Sequence, residues 1–404
     1  MNLIRNISRW IVFSILLLEC ACQPVIPAAF QKVESTNTIM QTPVDLAIIP
    51  QSAVTATVVG AVETNCALVL SEPPMGWNLP GSLIIGNDRF DVNSGEFLGT
   101  VYPNASYVRT SPDGKWITAI VEIAYHAKYD IVTRPVNALE PEYRFSYEGE
   151  YFTIQWVNSQ TLLLRIYNQA IADGYQLVLF SPFTNEYQLL PTTYPDLQED
   201  ENVEIQVSPD QKHLIYVAYE HNPNTPWFLS NVLWSLETKK QVKVFDQAAT
   251  GYVRWSPNGK YLAFNEWEMG ASKLVPLRLV VTDGLGEEFA SYADPDGIVD
   301  YAWSPDSKKV GFTYHNSVGQ RDDRFLGFWD IETGMVIKSC LPVDACGKLL
   351  WSSDSRYLAS GSENACIRFS DNHDKKQTLV FWNIEQQWAV KKVFPSTGEV
   401  EWVP

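Results

Sequence analysis

A tryptophan followed by a tight turn returns at almost fixed intervals along this 404-residue chain: Trp255-Ser256-Pro257-Asn258-Gly259, Trp303-Ser304-Pro305-Asp306-Ser307 and Trp351-Ser352-Ser353-Asp354-Ser355. Looser copies occur at Thr110-Ser111-Pro112-Asp113-Gly114, Trp156-Val157-Asn158-Ser159-Gln160, Val207-Ser208-Pro209-Asp210-Gln211 and Trp402-Val403-Pro404, so that successive first positions are 46, 51, 48, 48, 48 and 51 residues apart. A period of that length with turn chemistry at one phase marks an array of repeats, each one a supersecondary unit.

Within a repeat the pattern is all β. Around the clearest copy, Gly251 to Trp255 and Lys260 to Phe264 flank a Ser-Pro-Asn-Gly sequence, the residues a type I turn prefers, and so read as a hairpin. A third strand follows at Leu277 to Asp283, apolar and β-branched enough for burial on both faces, and a fourth near Glu288 to Tyr292. The third strand also repeats, with an aromatic at one place: Phe90-Asp91, Phe180-Ser181, Trp234-Ser235, Trp329-Asp330 and Trp382-Asn383. A four-stranded unit of this kind cannot cover its own faces, so neighbours must stack, and radial stacking closes into a disc.

The Trp-Ser-Pro-Asp/Asn-Gly turn, the Leu-Ala-Phe or Leu-Ala-Ser strand after it and the Trp-Asp ending the third strand resemble the β-propeller repeats of the WD40 and TolB-like families, over residues from about 64 to 404. The Gly-His dipeptide of WD40 repeats is missing, and the repeat at Trp156 lacks the Pro, Asp and Gly of its turn. The resemblance implies a β-propeller of four-stranded blades; propellers host many unrelated activities, so it implies no particular one.

The two ends of the chain complete each other. Glu399 to Trp402 reads as an innermost strand with no partner after it. Cys66 to Ser71, Ser82 to Asp91 and Glu96 to Tyr102 read as second, third and fourth strands with no innermost strand before them. Six full repeats and one blade assembled from both ends give seven, with six or eight open if the N-terminal strands pair differently; closure removes the free sheet edge.

Residues 1–22 read as a targeting segment: Arg5 and Arg9 precede the apolar run from Trp10 to Leu18, too short to span a membrane as a helix. Glu19-Cys20-Ala21-Cys22-Gln23 resembles a bacterial lipoprotein processing site, with Cys22 the preferred lipidated residue and Cys20 the alternative; cleavage near Ala28-Ala29 and an uncleaved anchor remain open. Residues 23–63, rich in Pro, Thr, Ala and Val, read as a flexible tether, and the propeller as 64–404. In an oxidising compartment Cys340 and Cys346, bracketing one short connection, are the expected disulfide, while Cys66 and Cys366 pair or are buried. No Cys/His spacing fits zinc.

A formal charge of −17 argues against nucleic acid and against an anionic membrane surface as partners. The acids concentrate in two loops, Asp196 to Asn202 (with Glu199, Asp200 and Glu201) and Asp294 to Asp300, which each precede an inner strand and are expected to project on one face toward a partner. Asp294, Asp296 and Asp300 match a calcium loop loosely, without its downstream Glu, and a solvated turn is the simpler reading. The Ser-Pro-Asp-Gly turns differ from sialidase Asp boxes because Asp and Gly are adjacent, and the chain has no Gly-x-Ser-x-Gly elbow and no phosphate loop. The five histidines share no phase. Trp156, Trp255, Trp303, Trp351 and Trp402, one per repeat, read as packing between blades, and Arg109 and Arg254, one residue earlier in their repeats, as lining for the central channel beside Gln155, Gln206, Ala302, Leu350 and Glu401. The expectation is an exported, lipid-anchored propeller that acts without cofactor as a non-enzymatic scaffold for protein partners in the cell envelope. The alternative is a glycan-binding or hydrolytic propeller with its site over the channel.

Overall fold

The computed structural model describes residues 57–403 apart from 59–61, 65, 104, 125–127, 149–151, 168–174, 192–204, 223–224, 246–252, 270–273, 296, 316–323, 344–347, 364–375 and 397–399. The chain forms a seven-bladed β-propeller, and the described residues contain no helix. From the axis outward, blade 1 is Ala105–Thr110, Trp116–Ala124, Lys128–Pro135 and Tyr143–Glu148, and blade 2 is Phe152–Asn158, Thr161–Tyr167, Tyr175–Phe180 and Tyr187–Leu189. Blade 3 is Ile205–Val207, His213–Asn222, Thr225–Ser235 and Lys240–Phe245; blade 4 is Arg254–Trp255, Tyr261–Met269, Leu274–Asp283 and Glu288–Tyr292. Blade 5 is Ile298–Trp303, Lys309–His315, Arg324–Asp330 and Val336–Val343; blade 6 is Leu350–Trp351, Tyr357–Glu363, Gln377–Asn383 and Trp388–Phe394. Blade 7 joins the chain's two ends: Val400–Val403 lies innermost and pairs antiparallel with Ser82–Ile85, followed by Asp88–Asp91 and Phe97–Thr100.

The apolar sequence of the middle strands follows from this stacking. Leu279, Val280 and Val281 are consecutive and fully buried, which a sheet with one wet face could not accommodate. Leu279 and Val281 enter the cluster between blades 4 and 5, and Val280 the cluster between blades 3 and 4. Blade 6 divides the same way, with Leu379 and Phe381 facing blade 7 and Val380 facing blade 5. Each of the seven interfaces has its own apolar cluster, including the one that joins blade 7 to blade 1 through Ile84, Val101, Val108 and Ile117.

Two expectations about the N-terminal strands are corrected. The segment from Cys66 to Ser71 is not part of the closing blade: Leu68–Leu70 pairs in parallel with Trp388, Ala389 and Val390 as a fifth, outermost strand of blade 6. Ahead of it Val62–Thr64 pairs in parallel with Val336, Ile337 and Lys338 on blade 5, and Thr57–Val58 with Ala290 and Ser291 on blade 4. The chain thus enters as a strap that walks round the rim over three successive outer edges before it turns inward at Ser82. Strands therefore begin at Thr57, inside the range read as tether. The strap also decides the disulfide. It brings Cys66 beside the outer strand of blade 5, where the Ala67 N–H donates to Ser339 O at 2.9 Å. Cys340 bonds Cys66, at a Cα separation of 4.9 Å, and not Cys346. Cys346 and Cys366 lie outside the described residues.

Candidate functional site

The repeated turn builds the inner part of the disc. In blade 4 the Ser256 hydroxyl donates to Asn258 Oδ1 and accepts from the Tyr261 N–H, while Asn258 Oδ1 also accepts from the Lys260 N–H. Ser111, Ser208, Ser304 and Ser352 repeat the arrangement with Asp113, Asp210, Asp306 and Asp354. Burial raises the carboxyls of Asp113 and Asp210, but these hydrogen bonds outweigh it and hold both below the ordinary aspartate range. The fifth position of the motif takes a left-handed backbone, which Gly259 adopts freely at φ 72° and Ser307 and Ser355 adopt at 61° and 59°. Those two serines also tie adjacent blades together, since Ser307 Oγ accepts from the Asn258 N–H of the preceding blade, and Ser355 Oγ from that of Asp306. The turns of blades 4, 5 and 6 are linked to one another in this way.

The tryptophans are packing residues, as the repeat phase implies. Trp303 Nε1 donates to Arg254 O at 3.0 Å, Trp351 Nε1 to Ala302 O at 3.0 Å and Trp156 Nε1 to Arg109 O at 3.2 Å, each reaching the inner strand of the blade before. Trp402 donates instead to Pro80 O. The charges near the axis are engaged across blade boundaries: Arg254 donates to Tyr301 O and lies 3.6 Å from Asp300, while Lys348 pairs with Glu401 at 2.8 Å. Arg109 donates to Val108 O and sits over the ring of Tyr107.

The acidic candidates come apart in the structure. Asp294 does not project as a partner-facing loop residue. It is buried and accepts from the Tyr292 hydroxyl at 2.6 Å and from Lys338 Nζ at 3.1 Å, and that ammonium also lies 4.0 Å from the centroid of the Tyr314 ring. Asp300 faces Arg254 and accepts from its neighbour's N–H on Tyr301. Each carboxylate thus has a cation of the protein beside it. Cys20, Cys22, Asp196, Glu199, Asp200, Glu201 and Asp296 lie outside the described residues.

A cleft of about 290 Å³ opens elsewhere, on the rim between blade 7 and blade 1. Arg89, on the third strand of blade 7, reaches across the boundary: its Nη1 donates to Val136 O and its Nη2 to Asn137 Oδ1, while Nε donates back to Ser82 Oγ. Arg134, near the end of the third strand of blade 1, reaches the other way, donating to Val101 O and lying 4.4 Å from the Tyr102 ring centroid. Leu98 and Leu139, both more than half exposed, form the shoulders. Both guanidinium groups are held by neutral oxygens, and among the described residues neither has a carboxylate within ion-pair distance. Arg144, by contrast, pairs with Asp130 and Glu142, and Arg278 with Glu266 and Glu288. Burial and the Arg134 charge both push Arg89 below the ordinary arginine pKa. Sequence reasoning missed this pair because its members are 45 residues apart at different places in their repeats; the available signal was two cations near the blade boundary in a strongly acidic chain.

No family model matches the chain, and no curated protein matches it. Solved structures do resemble it. Oligogalacturonate lyase from Vibrio parahaemolyticus is 14% identical with a TM-score of 0.50, over 77% of this chain and 85% of that one. TolB from Acinetobacter baumannii is 14% identical with a TM-score of 0.45, over 78% of each chain. A putative 6-phosphogluconolactonase from Bacteroides fragilis is 15% identical with a TM-score of 0.47, over 82% of this chain and 100% of that one. At 14% identity the likeness to the lyase, with its TM-score of 0.50, is one of fold alone and says nothing about activity.

Proposed function

We propose that this chain is an exported propeller, anchored by a lipid on Cys22 or Cys20, that binds protein partners in a bacterial envelope as a non-enzymatic scaffold. The observation that carries the scaffold reading is the rim of blades 7 and 1. Leu98 and Leu139 expose 54 and 70% of their surface there, around a cleft with two arginines. A docked protein covers such a surface, whereas Arg254 and Lys348 near the axis are already engaged by Asp300 and Glu401. The Cys66–Cys340 bond supports an oxidising compartment, since cytosolic thiols stay reduced.

The test is affinity capture of the tagged full chain from detergent-solubilised envelopes of its native host, with mass spectrometry of what is retained and metabolic labelling with a fatty acid. One reproducible protein partner, and label lost in a Cys20→Ser/Cys22→Ser chain, are expected. An empty capture from well-extracted envelopes overturns the scaffold and favours a small ligand over the channel; an unlabelled chain overturns the anchor.

A further inference from the structure

The outer edges of the blades are not treated alike. On blades 4, 5 and 6 the chain covers its own edge with a short extended segment in parallel register. The strap then turns inward, and Phe97–Thr100, the outer strand of blade 7 and the next edge along the rim, has no strand beyond it among the described residues, as is also true of the outer strands of blades 1, 2 and 3. An uncovered edge presents a row of backbone donors and acceptors to any extended peptide. This edge borders the cleft, since Leu98, Gly99 and Thr100 form its wall.

The register matters as well. Gly99 stands directly opposite Arg89, takes a φ of 137°, and has nothing within 4 Å of where a Cβ would be. No side chain at that position separates the edge strand from the guanidinium across from it. The two arginines carry ten N–H groups, of which four are engaged among the described residues, all by the neutral oxygens of Ser82, Val136, Asn137 and Val101. Their positions are fixed and, among the described residues, no carboxylate lies within ion-pair distance of either, in a chain whose formal charge is −17. A carboxylate entering the cleft would meet two guanidinium groups, and a hydrogen bond between an ionised acid and arginine is stronger than one to a neutral oxygen.

We propose that blade 7 binds an extended acidic segment of a partner protein, which pairs with Phe97–Thr100 as a fifth strand and places an Asp or Glu side chain between Arg89 and Arg134. The apolar shoulders select the residues that flank the acid: Leu98 and Leu139 take small aliphatic side chains. This deepens the scaffold reading and rests on it, by naming the mode and chemistry of one partner contact.

The test is selection of a randomised displayed-peptide library on the purified full-length chain, followed by fluorescence anisotropy with the winning peptide. The expected consensus carries one fixed Asp or Glu between aliphatic residues. Exchanging that acid for its amide, or introducing Arg134→Gln or Arg89→Gln, is expected to weaken binding tenfold or more. Because Arg89 also ties blade 7 to blade 1, Leu139→Asp is the second variant: it leaves both arginines and their hydrogen bonds in place, sits at a largely exposed position, and supplies the cleft with a carboxylate of its own. It too should weaken the peptide at least tenfold with the melting temperature unchanged. A consensus without an acid, or an acidic peptide that binds Leu139→Asp within twofold of the parent, overturns the proposal. So does inorganic phosphate binding at this cleft with no peptide selected, which assigns it to a free anion. Envelope capture separates the two readings: a partner retained equally by the parent and by Leu139→Asp leaves the scaffold standing without this contact, whereas no partner with the parent removes the scaffold.

Discussion

Replacing Trp303 by Phe isolates the hydrogen bond that joins one blade to the next. The indole N–H is the donor to Arg254 O at 3.0 Å, and the ring is 8% exposed. Phenylalanine strands that part-buried carbonyl, at a cost of about 1–3 kcal/mol. Contracting the ring gives up about 1 kcal/mol of burial in addition. Trp255 provides the control at the same phase of the neighbouring repeat. It is 9% exposed, but its Nε1 has no acceptor among the described residues, although it is buried. In Trp255→Phe the lost burial is offset by removal of an unsatisfied donor, for a net cost of about 1 kcal/mol or less. The two variants should therefore differ by about 1–3 kcal/mol, and Trp351→Phe, which removes the donor to Ala302 O, should follow Trp303→Phe. Urea unfolding of the three variants beside the parent measures this, with an unchanged slope confirming that the native and denatured states are comparable. If Trp255→Phe costs as much as Trp303→Phe, the indole hydrogen bonds do not hold the blades together and the tryptophans act through bulk alone.

Three further outcomes are expected. A non-reducing peptide map should yield Cys66 joined to Cys340, and Cys66→Ser should cost less stability than the full chain-entropy figure of about 5 kcal/mol for so long a loop, because the strap can leave without the blades opening; a Cys340–Cys346 peptide would refute the pairing. Lys338→Met leaves the Asp294 carboxylate buried without its cation and should cost about 3–5 kcal/mol, whereas the Asp294→Asn/Lys338→Met pair should recover most of it, and a double variant no better than the single would count against a buried ion pair. His213, stacked at 6.3 Å on Trp255, is held below its ordinary pKa chiefly by burial. As pH falls through about 6.5 the unfolded chain takes up a proton that the fold resists, so stability drops until the folded histidine protonates in turn. His213→Phe should flatten that part of the pH–stability curve, and an unchanged slope would show that His213 does not cause it.

The parts of this fold that are legible from sequence are those in which one physical demand recurs. Most blades need the same turn and the same wedge between neighbours, so Ser256 to Gly259, Ser304 to Ser307 and Trp156, Trp255, Trp303 and Trp351 repeat at one phase, and a period is visible without a structure. The strap has no such demand. Val62–Thr64 and Leu68–Leu70 are three-residue strands held by edges whose sequences carry no mark of a fifth partner, so Cys66 reads as part of the closing blade and Cys340 as half of a local bridge. Asp294 misleads for a related reason: a run of acids reads as a wet loop until Lys338, 44 residues on, is brought beside it.

The Arg89–Arg134 cleft shows why a candidate site in such a molecule escapes a reading by repeats. Repetition records what every interface shares, and binding depends on what one interface has alone. Blade 7 is assembled from both ends of the chain, and its boundary with blade 1 is where Arg89 reaches Val136 and Asn137 while Arg134 reaches Val101. Along the strap's path, blades 4, 5 and 6 receive a covering strand and, among the described residues, blade 7 receives none. The bare edge of blade 7 and two arginines with no carboxylate within ion-pair distance among the described residues fall at one boundary, and Leu139→Asp tests that coincidence without disturbing the repeated hydrogen bonds that close the ring.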